Sequence, residues 1–467
     1  MSDQRAKILP DAFISQMENL LGKAEVMAFL ESLYEYPPVS IRLHSKKASA
    51  GSILEDRVPW CPWGRYLPER PLFTLDPEYH AGAYYVQEAA SMFIWQVMEQ
   101  MFQDNNDVKI LDLCAAPGGK STLIASYLHG RGLLVSNEVI KNRSQILRQN
   151  IIREGWPNMV VTCNDPADFK VLGSHFDAVF VDAPCSGEGM FRKDPNSVSH
   201  WSTDAVHQCT MRQKRILSDI LPVVKPGGYI IYSTCTYNEE ENIRQVSWMI
   251  KTHSLKSIPL DISPFSGIIP VYLEDCVGYQ FLPHRTRSEG FFIAVLQKNN
   301  EEYSPPNVKP RKSILHATKE EMGYFKSWNY DNGLGIYKNH LSRLMFFPDK
   351  YIADAEKLLN SLYVVHCGLE IGAFKGKDLV PSHELAYMSD AKKYFNNWKV
   401  NREEALRFLK KEISETTNPA IGWQLVTFNG NGLGWVKNLG TRLNNYLPQE
   451  YIIRMSLDNP GAGSSPT

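Results

Sequence analysis

The chain has 467 residues, and its 50 Lys plus Arg nearly match its 51 Asp plus Glu, leaving a formal net charge of −1. At 22% charged and 43% hydrophobic it has ordinary globular composition, and its length implies two to four domains. No run of about 18 apolar residues is present, which argues against a membrane-spanning helix, and the polar start Met1–Pro10 lacks the apolar stretch of a signal peptide. A cytoplasmic, monomeric protein with reduced cysteines is expected. The eight cysteines include no Cys-x-x-Cys pair, so no metal site is expected. The near-neutral balance, taken alone, argues against a nucleic-acid binder.

In chain order, Val86 to Phe102 first shows helical spacing, with Val86, Ala89, Ala90, Phe93, Ile94, Val97, Met98, Met101 and Phe102 on one face. This predicts an amphipathic helix that packs on a sheet. Short apolar runs follow at Val108–Leu113, Gly132–Val139, Val160–Cys163, Phe176–Val181 and Tyr229–Ser233. Helical text separates them at Lys141–Glu154 and at about Thr203–Val224, and Pro226-Gly227-Gly228 reads as a turn. Strands alternating with helices predict an α/β fold: a Rossmann-like, doubly wound parallel sheet. Gly278–Leu282 and Phe291–Leu296 read as antiparallel additions at its edge. Lys298–Lys312, with three prolines and many charges, reads as a linker. Residues 313 to about 410 look mixed, and 415–455 look β-rich.

Chemistry concentrates where strands end. The first strand runs into Cys114-Ala115-Ala116-Pro117-Gly118-Gly119-Lys120, followed by a helix. A Walker loop fails because its first glycine position is Cys114, and Gly-x-Gly-x-x-Gly is absent. S-adenosylmethionine, which has an amine and a carboxylate but no phosphate, suits such a turn. Glu138 ends the second strand, where a carboxylate can accept ribose hydroxyls; Asp165 follows the third and Asp182 ends the fourth. Two cysteine turns, Val181–Pro195 around Cys185 and Ile231–Asn242 around Cys235, belong on the same rim. A thiolate beside a methyl donor suits cytosine. Addition to carbon 6 makes carbon 5 nucleophilic, and the thiol leaves after the carbon 5 proton is removed. Asp182 could bond the ring N3, and Lys120 supplies a cation in reach. Chemistry alone does not choose between the two cysteines.

The stretches LDLCAAPGGKST, VDAPCSGEGMFRKDP and YSTCTYNEEEN, in that order and with YYVQEAASM (Tyr84 to Met92) upstream, resemble the signature motifs of the RNA 5-methylcytosine methyltransferases, the Nol1/Nop2/Sun family. The layout is most similar to the bacterial RsmF/YebU type, which modifies 16S ribosomal RNA, and Gly434–Arg454 resembles that type's PUA-like module. The resemblance implies Cys235 as nucleophile and Cys185 as the group that assists product release. It also implies a cofactor site formed by Cys114 to Lys120, Glu138, Arg143, Asp165 and Asp182.

Six segments are therefore expected. They are an RNA-binding α+β extension (1–103), a methyltransferase domain (104–298), a linker (299–312), an RNA-binding or connecting α+β domain (313–412), a PUA-like module (413–458) and a disordered tail (459–467). RNA contacts are expected from Arg192 and Lys193, from stacking on Trp60 and Trp201, and from the acid-free stretch Thr416–Gln449 with Lys437 and Arg442. Two rival functions are a base-amine N-methyltransferase using Asp182-Ala-Pro-Cys185 and a non-catalytic RNA-binding assembly factor.

Overall fold

A computed structural model describes residues 9–455 except 104, 106, 300–302, 305–313, 327, 329–332, 340, 414 and 416–418. The expected tail and nearly all of the expected linker lie outside the described residues. The centre is a ten-stranded sheet. Its strands are β1 Lys109–Asp112, β2 Leu133–Asn137, β3 Met159–Thr162, β4 Phe176–Asp182 and β5 Val224–Thr234. They continue as β6 Leu255–Ile258, β7 Ile269–Leu273, β8 Cys276–Phe281, β9 Phe291–Lys298 and β10 Val364–Cys367.

Strands run in the order β7-β8-β9-β5-β4-β1-β2-β3-β10, with β6 also pairing β9. The pairs among β1 to β5 are parallel, whereas β9, β8, β7 and β10 join antiparallel. The strand order reverses at β1, between β2 and β4, so the carboxyl ends of β1 and β4 open the crevice where such sheets bind ligands.

Burial on both faces explains the continuous apolar strands. Ile110, Ala178 and Phe180 face one core with Phe93, Val97 and helix α1 (Gly119–Leu128). Their neighbours Leu111, Val179 and Val181 face the other core. There they meet Ile216, Leu217 and Ile220 of α3 (Thr203–Ile220) and Val246 and Met249 of α4 (Ile243–His253). Helix α2 spans Lys141–Glu154 and packs Leu147 and Ile151 into the first core. Each such aliphatic side chain taken out of water contributes about 1.5–3 kcal/mol.

Two local expectations change. Val86 belongs to a strand, Tyr84–Val86, and regular helix begins only at Ile94, after a 3₁₀ turn at Ala90–Phe93. The cause is Glu88, whose carboxylate accepts the backbone N–H of Ala90 and of Ser91, each at 2.9 Å, and so starts the turn there. Pro226-Gly227-Gly228 is not a turn before a strand but part of β5, beside a register irregularity opposite Phe176–Ala178. A Cβ on Gly228 would lie 2.8 Å from the Asp177 carbonyl oxygen, so only glycine keeps the strands close.

Before this sheet, Val39–Leu43 pairs with Gly64–Leu67 and Tyr84–Val86 in a three-stranded sheet. After it, a five-stranded sheet and a four-stranded sheet complete the chain. Residues 364–367 extend the central sheet beside β3, and Asn396–Lys399 pairs parallel with Gly422–Phe428 in the last sheet. The segment 313–412 thus donates strands to both neighbours. No helix among the described residues is long and apolar enough to cross a membrane.

Candidate active site

The glycine turn is held from behind. Gly118 precedes α1 at φ +121°, a conformation that favours glycine. A Cβ on Gly119 would sit 3.3 Å from Tyr85, so the N-terminal extension packs directly on the turn. From the other side, Ala115 N–H donates to the Asn137 carbonyl at 2.8 Å and Asn150 Nδ2 to the Pro117 carbonyl at 2.8 Å. Arg143 Nη2 donates to the Ala116 carbonyl at 2.9 Å, and its Nη1 lies 3.2 Å from Glu138 Oε2. Arg143 thereby clips the turn to Glu138, which is buried and also accepts the Ile140 N–H at 2.9 Å. Cys114 lies at the strand–turn junction, where burial pushes its thiol far up.

Asp182 pairs in register with Ser233 across β4 and β5. Its Oδ1 accepts the Ser233 hydroxyl at 2.8 Å, and its Oδ2 meets Lys120 Nζ at 2.7 Å. Burial alone would lower Lys120, but the Asp182 carboxylate outweighs it and holds the ammonium above its usual range. Beside them Asp112, fully buried, accepts the Ser121 hydroxyl at 2.6 Å on Oδ2. Its Oδ1 has no hydrogen-bond partner, and burial pushes the carboxyl up to about 7. A buried acceptor left open under a glycine turn is what a cationic, amine-bearing cofactor would complete. Asp165 is used differently. It caps the 3₁₀ helix Pro166–Leu172 and pairs with both Arg215 Nη atoms, at 3.2 and 3.1 Å.

The two cysteine turns converge. Cys185 Sγ and Cys235 Sγ lie 3.3 Å apart. The hydrogen bond with the Cys235 thiol, then burial, pushes the Cys185 thiol well above the ordinary range. A buried carboxylate, Glu188, joins the turns. Its Oε2 accepts Thr236 Oγ1 at 2.6 Å, Tyr237 N at 2.8 Å and Asn238 N at 3.0 Å. Its Oε1 accepts Gln16 Nε2, Trp201 Nε1 and Asn238 Nδ2, each at 3.0 Å. Glu241 adds a second tie, accepting Ser186 N and Gln213 Nε2 at 2.9 Å and Asn238 Nδ2 at 2.8 Å. A Cβ on Gly189 would come within 2.8 Å of the Cys235 and Gly290 carbonyl oxygens, which fixes that residue as glycine.

Asp112, Ser121, Glu188, Ser233, Asn238 and Glu241 were not picked out in the sequence. All lie within or beside the motifs. Nothing in Glu239-Glu240-Glu241 signals that the first two pair with exposed Arg244 while the third is buried. Several expected RNA contacts are corrected. Arg192 is buried and holds Glu289 through Nε and Nη2 at 3.0 Å. Trp60 and Trp201 are buried, with indole N–H groups bonded to the Ala89 carbonyl and to Glu188, so neither ring is open for stacking. Lys193 stays exposed.

Comparison with known proteins points to one family. The family model of the 16S rRNA methyltransferase RsmB/F matches residues 99–297, that of the N-terminal domain of 16S rRNA methyltransferase RsmF matches 9–89, and that of the methyltransferase RsmF PUA domain matches 395–453. The chain belongs to the RsmF-type rRNA methyltransferases of the Sun family. Its cofactor is S-adenosylmethionine. Ribosomal RNA small subunit methyltransferase F of Salmonella paratyphi B is 28% identical over 480 residues, covering 96% of this chain and 98% of that protein. The Salmonella agona protein of the same name is 28% identical over 490 residues. A methyltransferase homolog protein from Pyrococcus horikoshii superposes with a TM-score of 0.52 at 27% identity, over 62% of this chain and 95% of that one. NSun6 from Pyrococcus horikoshii, solved with SFG, shares the fold at a TM-score of 0.54 and 22% identity, over 63% of this chain and all of that one.

Proposed function

We propose that this RsmF-type enzyme methylates carbon 5 of a cytosine in 16S ribosomal RNA through a covalent adduct on Cys235. The observation that carries the reading is the pair of thiols 3.3 Å apart on the rim that also bears the glycine turn and the Lys120–Asp182 pair. An N-methyltransferase needs no such pair. Bound S-adenosylmethionine supplies an electrophilic methyl group. Cys114 to Lys120 would hold its methionine end, with the open Asp112 oxygen toward the amine, and Glu138, braced by Arg143, would accept the ribose hydroxyls. Asp165 contributes by shaping the rim through its cap and Arg215.

In the reaction, the Cys235 thiolate adds to carbon 6 of cytosine, and carbon 5 gains the electron density needed to take the methyl group. As charge develops at N3, the proton taken up there would come from the Lys120–Asp182 pair, with the Lys120 ammonium as donor and the Asp182 carboxylate holding it in place. Cys185 assists release: a base removes the carbon 5 proton, the carbon 5–carbon 6 double bond re-forms, and Cys235 leaves as thiolate. The raised Cys185 thiol keeps its proton at neutral pH, so it can donate a hydrogen bond to the departing Cys235 sulfur as negative charge develops there. The target base must stand clear of any stack to reach Cys235. The N-terminal extension and the two C-terminal segments are the parts proposed to hold RNA.

The test is a denaturing gel of enzyme, 16S rRNA and S-adenosylmethionine. C185A should give a shifted protein–RNA band, and C185A/C235A should give none. A band of equal strength in C235A alone would overturn the assignment of Cys235.

A further inference from the structure

The two thiols on the active-site rim face each other. Cys185 and Cys235 are 50 residues apart in sequence, yet their sulfurs stand 3.3 Å apart, and both are free thiols. The closeness is built into the backbone. Gly189 N–H, in the Cys185 turn, donates to the Cys235 carbonyl at 2.9 Å. The residues that follow the two cysteines, Ser186 and Thr236, share a hydrogen bond between their hydroxyls at 3.1 Å. Glu241 accepts the Ser186 N–H at 2.9 Å, and Glu188 accepts those of Tyr237 and Asn238 at 2.8 and 3.0 Å. These ties, and not the sulfur contact alone, keep the pair together.

The two sulfurs are not equivalent. The hydrogen bond to Cys235, then burial, keeps the proton on Cys185, so Cys235 is the sulfur that meets an electrophile first. Both residues are only half-buried, in contrast to the buried Cys61 and Cys276. An opening that admits a cytosine ring also admits a molecule as small as hydrogen peroxide. A reactive thiol with a second thiol already in contact is the arrangement that diverts oxidation into a reversible disulfide.

We propose that Cys185 and Cys235 form an oxidisable dithiol, a modification site at which hydrogen peroxide reversibly stops the enzyme. The Cys235 sulfur takes one oxygen from the peroxide. Its S–O bond forms as the O–O bond breaks, leaving Cys235 as a sulfenic acid and the other oxygen as water. The Cys185 sulfur then displaces the sulfenic oxygen, which leaves as water with the Cys185 thiol proton, and an S–S bond forms. In sum, two thiols and one hydrogen peroxide give one disulfide and two waters. Cys185 thereby spares Cys235 from irreversible oxidation to sulfinic acid. The loss of methyl transfer rests on the reading of Cys235 as nucleophile, whereas formation of the bond does not.

The test treats the reduced full chain with hydrogen peroxide, caps the remaining thiols with N-ethylmaleimide and maps peptides without reduction. Wild type should yield a peptide pair linked through Cys185 and Cys235, two hydrogens lighter than the sum of its parts. Methyl transfer to 16S rRNA should fall about tenfold or more and return to about its starting value with dithiothreitol. In C185S, with folding confirmed by circular dichroism, Cys235 should go on to sulfinic acid, which dithiothreitol does not reverse. The linked pair is read in wild type, so the test does not depend on the variant. Cys235 reaching sulfinic acid as fast in wild type as in C185S, with no linked pair, would overturn the dithiol. A linked pair with methyl transfer undiminished would leave the bond standing and overturn the catalytic reading of Cys235.

Discussion

Replacing Glu188 by glutamine exchanges one carboxylate oxygen for an NH₂ group at nearly constant volume, yet it should nearly abolish turnover. The carboxylate accepts three donors on each oxygen: Thr236 Oγ1, Tyr237 N and Asn238 N on one, Gln16 Nε2, Trp201 Nε1 and Asn238 Nδ2 on the other. A glutamine amide has one acceptor oxygen and one NH₂. Whichever way it turns, the NH₂ faces three donors. Bonds to a charged acceptor contribute about 1.5–3 kcal/mol each and add incompletely, so roughly 3–5 kcal/mol of the tie between the cysteine turns is lost. The turns should relax apart, and a displacement of about 1 Å at a reacting group costs on the order of a hundredfold in rate. The assay is methyl transfer from labelled S-adenosylmethionine to 16S rRNA, with circular dichroism to confirm folding. A folded E188Q protein with kcat within twofold of wild type would refute the view that Glu188 sets the Cys185–Cys235 geometry.

Other consequences follow from neighbouring contacts. Arg42, fully buried, donates to Gln87 Oε1 at 2.9 Å, Ser126 Oγ at 2.9 Å and Thr122 Oγ1 at 2.6 Å, and so braces α1 just past Lys120. R42M should cost about 3–5 kcal/mol, as for one partner removed from a buried pair, and should raise KM for S-adenosylmethionine more than it lowers kcat; R42K should recover part of both. A KM unchanged in R42M would show that the brace stops short of the cofactor turn. K120M leaves Asp182 without its cation and should lower kcat about a hundredfold or more with RNA binding intact, checked by steady-state kinetics and filter binding. Asp112 keeps its proton up to about 7 when folded but only to about 4 when unfolded. The folded state therefore binds more protons between those values, and stability falls as pH rises through that window. D112N has no proton to lose, so its Tm relative to wild type should rise between pH 5 and pH 8; a constant difference would contradict the burial argument.

Much of the central domain can be read directly from residue order. Lys141–Glu154 is a helix as its spacing predicts, and the apolar runs become β1 to β5 because both faces of a parallel sheet are buried. The rim was legible too, since glycine, acid and cysteine each follow a strand. What was not legible depends on contacts between distant segments. Glu188 is silent in sequence because its donors lie 13 to 172 residues away. Arg192 looks like a phosphate ligand until Glu289 is seen to neutralise it. Val364–Cys367 carries no sign that it will extend a sheet whose neighbouring strand is Met159–Thr162. The net charge of −1 likewise hides where the charges lie, because a sum over the chain carries no positions.

The central claim, carbon 5 methylation by way of Cys235, is tested most directly by nucleoside mass spectrometry. Unmodified 16S rRNA is incubated with S-adenosylmethionine and either wild-type protein or C235A, then digested to nucleosides. The account predicts 5-methylcytidine with wild type and none with C235A. A methyl group on the exocyclic amine, or 5-methylcytidine formed at the wild-type rate by C235A, would contradict it.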